Sequence, residues 1–306
     1  MKFGLHGVGS GSTAKPEPLA QVARKAEQLG YESIWVPEHL AVPIEIRTRY
    51  PYAADGKFPG GPLAALHDPF LALAYAAACT ERIKLGTGVF VLPLRNAIAV
   101  AKSVASLDVL SNGRLLFGVG IGWLADEFEA VGAAFADRAA RAREAIRMMQ
   151  VLWTDDAPRF EGRFHRFPPL GFNPKPVQKP HPPIIFGGET RAALKRAAEL
   201  GDGWYGAQHT PESVRPLLAT LKALAAAAGR DFSRLEITVG LTPGLRPDLD
   251  TVRRFADAGV HRMIVFAPGF VPRSRFESDL FPALERFAEE TMARAGNATT
   301  DDHGAG

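Results

Sequence analysis

Eight short apolar runs, each followed by a stretch of helical periodicity, constrain the fold of this 306-residue chain more than any other feature. The runs are 2–7 (KFGLHG), 33–36 (SIWV), 83–92 (IKLGTGVFVL), 114–120 (RLLFGVG), 182–188 (PPIIFGG), 202–206 (DGWYG), 234–241 (RLEITVGL) and 261–269 (HRMIVFAPG). Their apolarity is nearly continuous rather than alternating, which predicts strands buried on both faces, as in a parallel sheet covered by helices. The intervening stretches read as helices. Residues 17–30 set Leu19, Val22, Ala23, Ala26 and Leu29 on one face before Gly30, and Asp68 with Pro69 opens the next helix as cap and first position. Eight βα units favour an α/β fold closed as a (β/α)₈ TIM barrel. The open doubly wound sheet is the alternative. It is disfavoured because no GxGxxG follows the first strand with an acidic residue about 20 positions on.

Two connections are too long for plain barrel turns. Residues 40–67 form an insertion after strand two and residues 154–183 an insertion before strand five. Loops of this length in a compact domain tend to be functional. The first leaves the carboxyl end of a strand, the active face of such barrels, and its Arg47, Arg49, Tyr50 and Tyr52 suit a substrate lid. The second contains RFEGRFHRF, a candidate β-hairpin. The barrel domain is expected over 1–294, with a disordered tail at 295–306 (AGNATTDDHGAG).

Composition narrows the function. A net charge of +3 spread along the chain gives no nucleic-acid footprint. The lone Cys79 excludes a disulfide framework and is expected to be a buried small residue. Neither an apolar leader nor a run of about 18 apolar residues is present, so a cytoplasmic enzyme without membrane contact is expected.

The polar residues at the strand ends carry the chemistry. Glu38 and His39 emerge where strand two surfaces, and histidine titrates near neutrality, so the pair is a candidate acid–base centre as well as a candidate structural pair. Thr87, Gly88 and Val89 interrupt strand three, and a mid-strand glycine suggests a bulge or a close backbone approach to something flat. Gly120 and Gly122 bare the backbone at the end of strand four. Gly187 and Gly188 precede a helix opened by Thr190 and Arg191, a candidate anion site built from free N–H groups and a guanidinium. His6 reads as a packed pocket residue. No metal site is expected, since no HxH follows strand one.

The segments GYESIWVPEH, ERIKLGTGVFVLPLRN, AKSVASLDVLSNGRLLFGVGIGWLADEFEAVG, NPKPVQKPHPPIIFGG and AAELGDGW resemble the bacterial luciferase-like monooxygenase family, and especially its branch that uses the deazaflavin F420. The resemblance implies a (β/α)₈ barrel with F420, or alternatively FMN, at the carboxyl ends of the strands. It implies a non-prolyl cis peptide at Gly88–Val89 behind the ring system, His39 near the reactive carbon, Glu38 near the ring edge, and Gly187 and Gly188 at the cofactor phosphate. Ile121 stands where F420-dependent sugar-phosphate dehydrogenases carry a glutamate, which speaks against sugar-phosphate oxidation. Arg138, Arg141 and Glu144 share one helix and are read either as a structural group, the preferred reading, or as reaching the phosphate. The implied activity is hydride transfer between F420 and a small organic substrate, with FMN-dependent oxygenation and flavin storage as alternatives. A homodimer through helices two and three is implied as well.

Overall fold

The computed structural model describes residues 1–53, 55–242 and 245–297. Among them, eight parallel strands close into a barrel. These are β1 (Lys2–His6), β2 (Ser33–Val36), β3 (Lys84–Thr87) with its short continuation β4 (Phe90–Val91), β5 (Leu115–Gly120), and, after a hairpin of β6 (Phe160–Glu161) and β7 (Arg166–Phe167), β8 (Ile184–Gly187), β9 (Gly203–His209), β10 (Glu236–Leu241) and β11 (Arg262–Phe266). β1 pairs with both β2 and β11, and β3 pairs with β5, which closes the ring.

Helices α1 (Pro16–Gln28), α2 (Pro69–Cys79) and α3 (Ala97–Leu110) cover the first strands. The helical stretch after strand four divides into two helices, α4 (Ala125–Ala130) and α5 (Arg138–Thr154). Gly132, at φ +70°, ends the first of them, because an L side chain disfavours that conformation. Then follow α6 (Arg191–Leu200), α7 (Pro211–Ala227), α8 (Leu249–Asp257), α9 (Phe281–Phe287) and α10 (Ala293–Asn297). Residues 295–297 thus belong to a helix, and the remainder of the expected tail, 298–306, lies outside the described residues. Cys79 is half-buried at the end of α2 rather than fully buried.

The continuous apolarity of the strands divides between two layers. One side chain set packs outward under the helices, and Trp35, Leu116, Ile185, Tyr205 and Ile264 fill the barrel interior as a separate cluster. Arg262, 1% exposed, lies against the Trp35 ring and binds Glu32 through Nε and Nη2, each at 2.7 Å. A buried cation is tolerated there because its charge and its donors are met.

Strand three is interrupted as expected. The Gly88–Val89 peptide is cis, and β3 gives way to β4 across it. Neighbouring glycines make room for this bulge. A Cβ on Gly120 would lie 2.7 Å from Val89 Cγ2, one on Gly187 3.0 Å from Val89 Cγ1, and one on Gly118 only 1.8 Å from the Thr87 carbonyl oxygen. Gly118→Ala is therefore expected to cost more than the roughly 1–3 kcal/mol of ordinary overpacking, because the clash is with backbone. A thermal melt of the variant checks it; a midpoint within a degree or two of wild type would contradict this packing.

Candidate active site

The bulge, the end of β2, the turn after β5 and the start of α6 enclose a cavity of about 850 Å³ at the carboxyl ends of the strands. Behind the bulge stands His6, whose Nε2 meets the Gly88 carbonyl at 2.6 Å. Burial lowers the His6 pKa, so the neutral ring donates that hydrogen bond.

Glu38 and His39 both line the cavity, and they do so differently. The Glu38 carboxylate is fully covered. It accepts from the Val91 N–H and from the Arg95 guanidinium, which also binds Asp68, the cap of α2. It thereby ties the end of β2 to the strand-three bulge. Burial pushes the Glu38 carboxyl up to about 7 against the opposing pull of Arg95 and the Val91 N–H. The folded protein then holds this proton more tightly than the unfolded chain between 4.5 and about 7. The stability that Glu38 contributes is complete below that window and declines as pH rises through it. Wild type minus Glu38→Gln in urea unfolding free energy is expected to fall across the window; a flat or rising difference would refute the burial effect.

His39 turns Nδ1 to Glu127 Oε2 at 2.9 Å, and both side chains are nearly covered. Its ring is boxed edge-on by Phe58 at 4.8 Å and Trp123 at 5.7 Å. Tyr50 packs on the same two rings, and Tyr52 packs on Tyr50. Burial raises the Tyr52 pKa to about 12 and that of Tyr50 in the same direction, so both phenols remain neutral donors. This half of the cavity is aromatic, with Tyr50, Tyr52, Phe58 and Trp123 each half-buried.

The other end carries two arginines, Arg138 and Arg196, and one carboxylate, Glu189, which faces His209 Nε2 at 3.2 Å. Thr190 caps α6 by accepting from Ala193 N at 3.2 Å, and Gly188 is held by Trp204 Nε1 donating to its carbonyl at 2.8 Å. Thr190, Ala193 and Arg196 line the wall in a row of three-residue steps, joined by Arg138 from α5. Arg196 is 5% exposed and its Nε has no hydrogen-bond partner among the described residues. Burial and the charges of Arg143 and Arg138 lower its pKa. A covered guanidinium with an unmet Nε, beside Arg138 and an Arg143 that is itself paired with Glu199, fits an anionic group on a ligand.

Of the residues singled out in the sequence, Glu38, His39, Gly88, Val89, Gly120, Gly122, Gly187, Gly188, Thr190, Arg49, Tyr50 and Tyr52 meet at this cavity. Three do not. Thr87 is buried in the sheet, donating to the Gly118 carbonyl at 2.7 Å. Arg191, at the first position of α6, is exposed on the outer side. Arg47 points outward to Asp126 and Glu129, each at 2.6 Å, because two acids of α4 draw it there. Gly120 and Gly122 lack a Cβ because Val89, Val91 and Phe128 occupy the space. Glu144 pairs with neither Arg138 nor Arg141. It accepts from the backbone N–H groups of Arg163, Phe164 and His165 and so holds the β6–β7 turn.

Sequence reasoning did not find Glu127, Arg95, Phe58, Trp123 or Arg196 as site residues, and for Arg138 it preferred a structural role over contact with the phosphate. The three-residue row from Thr190 was a signal for Arg196. Nothing local links Glu127 to a histidine 88 positions earlier.

The family model for luciferase-like monooxygenases matches residues 1–306, and the chain belongs to that family. An uncharacterised protein of Mycobacterium tuberculosis is 34% identical over 270 residues, which are 88% of this chain and 92% of the relative. The FMNH(2)-dependent dimethylsulfone monooxygenase of Pseudomonas putida is 35% identical over 155 residues, 50% of this chain and 42% of that protein. Among solved structures, the coenzyme F420-dependent tetrahydromethanopterin reductase of Methanopyrus kandleri superposes with a TM-score of 0.76 at 17% identity, covering 96% of this chain and 99% of that one, a likeness of fold. The chain is thus an oxidoreductase or monooxygenase of this family. No helix among the described residues is long and apolar enough to cross a membrane.

Proposed function

We propose that the protein transfers a hydride between coenzyme F420 and a small, largely apolar organic substrate. The observation that carries this reading is the polarity of one cavity, with a positive, glycine-lined end at α6 and a histidine inside an aromatic box at the other. Arg196, Arg138 and the N–H groups at the start of α6 would hold the cofactor's phosphate, with the Val89 bulge behind its ring. When bound, F420 supplies an obligate two-electron hydride exchange, the hard chemistry that a protein leaves to its cofactor.

The chain's own residues supply the rest. His39 hydrogen-bonds the substrate oxygen and manages its proton. Tyr50, Phe58 and Trp123 exclude water and pack the substrate, as a closing lid does. Ile121 puts an alkyl group where a second acid would otherwise stand, so proton handling falls on His39. Glu38 acts at one remove, by fixing the bulge through Val91. Arg49, Tyr50 and Tyr52 form the inner face of the lid, and Arg47 holds its outer edge on α4. The exposed Leu71 and Tyr75 of α2 and Leu110 of α3 support a homodimer through those helices.

FMN-dependent oxygenation is the second reading, favoured by the stretch shared with the dimethylsulfone monooxygenase. Anaerobic assays with reduced F420 and a panel of enones, imines and ketones separate the two. Re-oxidation of F420 with product formed mole for mole supports the proposal. Turnover found only with reduced FMN and oxygen would overturn it.

A further inference from the structure

Glu127 joins the lid to the histidine, and neither the motifs nor the family resemblance gives it a role. It is 1% exposed. Its two oxygens divide their work. Oε2 faces His39 Nδ1 at 2.9 Å, and Oε1 accepts the Leu40 N–H at 2.5 Å and the Ala41 N–H at 3.1 Å. An ionised carboxylate offers acceptors only, so the ring nitrogen facing it carries the hydrogen. In a neutral imidazole the other nitrogen is then bare.

We propose that Glu127 is a positioning residue that fixes His39 as the Nδ1–H tautomer. Nε2 is thereby the nitrogen left for the cavity, a proton acceptor when the ring is neutral and a donor when it is charged. The same carboxylate holds the first two residues of the lid, so His39 cannot turn without disturbing the root of the lid. The neighbouring Asp126 fastens the lid further along, accepting from Arg47 Nε at 2.6 Å and Thr48 N at 2.9 Å. Two adjacent acids of α4 therefore serve different parts of one device, and only Glu127 touches the histidine.

The division of oxygens makes Glu127→Gln informative. Two backbone N–H groups at Leu40 and Ala41 require the amide oxygen. The amide NH₂ must then face Nδ1, which can meet it only as an acceptor, and the hydrogen moves to Nε2. The substitution thus inverts the tautomer while keeping the shape.

The meaning of this for turnover rests on the role proposed for His39; the tautomer itself does not depend on which cofactor binds. Nitrogen NMR of the full-length protein, labelled in its histidine rings and recorded with and without cofactor up to a pH where His39 is neutral, reads it directly. The His39 signals are those lost in His39→Asn. Wild type and the control Asp126→Asn are expected to show a protonated Nδ1 and a bare Nε2, and Glu127→Gln the reverse. Turnover of Glu127→Gln should fall by roughly 10²- to 10⁴-fold, the range set by a wrong-tautomer histidine, with cofactor affinity kept. An Nε2–H tautomer in the wild type would overturn the inference, even if Glu127→Gln does not fold. So would a Glu127→Gln protein with the wild-type tautomer. Loss of F420 binding with the tautomer as expected would count against the proposed function and not against Glu127.

Discussion

His39→Asn is expected to lower turnover by about 10²- to 10⁴-fold, the usual contribution of a positioned acid–base group, while F420 still binds. The side chain stands in the aromatic half of the cavity, boxed by Phe58 and Trp123, and away from the arginines that would seat the phosphate. Asparagine keeps a donor for Glu127 but brings no ring nitrogen to the substrate. In that half Glu38 is engaged by Arg95 and Val91, Ile121 is aliphatic, and the Tyr50 and Tyr52 phenols, held neutral by burial, can donate a hydrogen bond but not take up a proton as an imidazole does. Single-turnover kinetics with bound reduced F420 separate loss of chemistry from loss of binding. A variant that turns over within tenfold of wild type would remove His39 from the mechanism.

Arg196→Met should move stability and cofactor affinity in opposite directions. The guanidinium is covered, its Nε has no partner among the described residues, and the charges of Arg138 and of Arg143, the latter paired with Glu199, oppose its own. Without ligand it is a desolvated charge among like charges, and methionine relieves that cost at similar volume. With ligand, the variant lacks a charge-assisted hydrogen bond worth roughly 1.5–3 kcal/mol, which is about a ten- to hundredfold weaker dissociation constant. A higher melting temperature for the apoprotein together with weaker F420 binding is the expected pair of results. Such opposition between stability and function is common where a site holds unmet groups. A destabilised apoprotein with unchanged affinity would assign Arg196 to structure.

The barrel was legible because burial on both faces leaves a direct mark, eight runs without polar alternation. The bulge was legible for a related reason, since a glycine in mid-strand has few other uses. Side-chain direction was harder to read. Arg191 and Arg196 lie on the same helix, and only its phase decides which one turns inward; Thr190, Ala193 and Arg196 form the inward row. Arg47 was drawn out of the lid's inner face by Asp126 and Glu129, acids about eighty positions away whose docking on the lid no local pattern announces. The same distance hid Glu127. Residues joined only by tertiary packing leave no spacing to read, which is why Glu127 and Arg95, and the cavity-lining Phe58 and Trp123, did not emerge from the sequence.

The central claim concerns the cofactor, and the direct measurement is a fluorescence titration of the purified apoprotein with F420 and with FMN in parallel. Trp123 lines the cavity, so a bound ring system should quench it. The account predicts saturable quenching by F420 at concentrations well below those needed for FMN, with the F420 curve weakened by Arg196→Met. Tighter binding of FMN would contradict it and move the protein to the oxygen-activating side of its family.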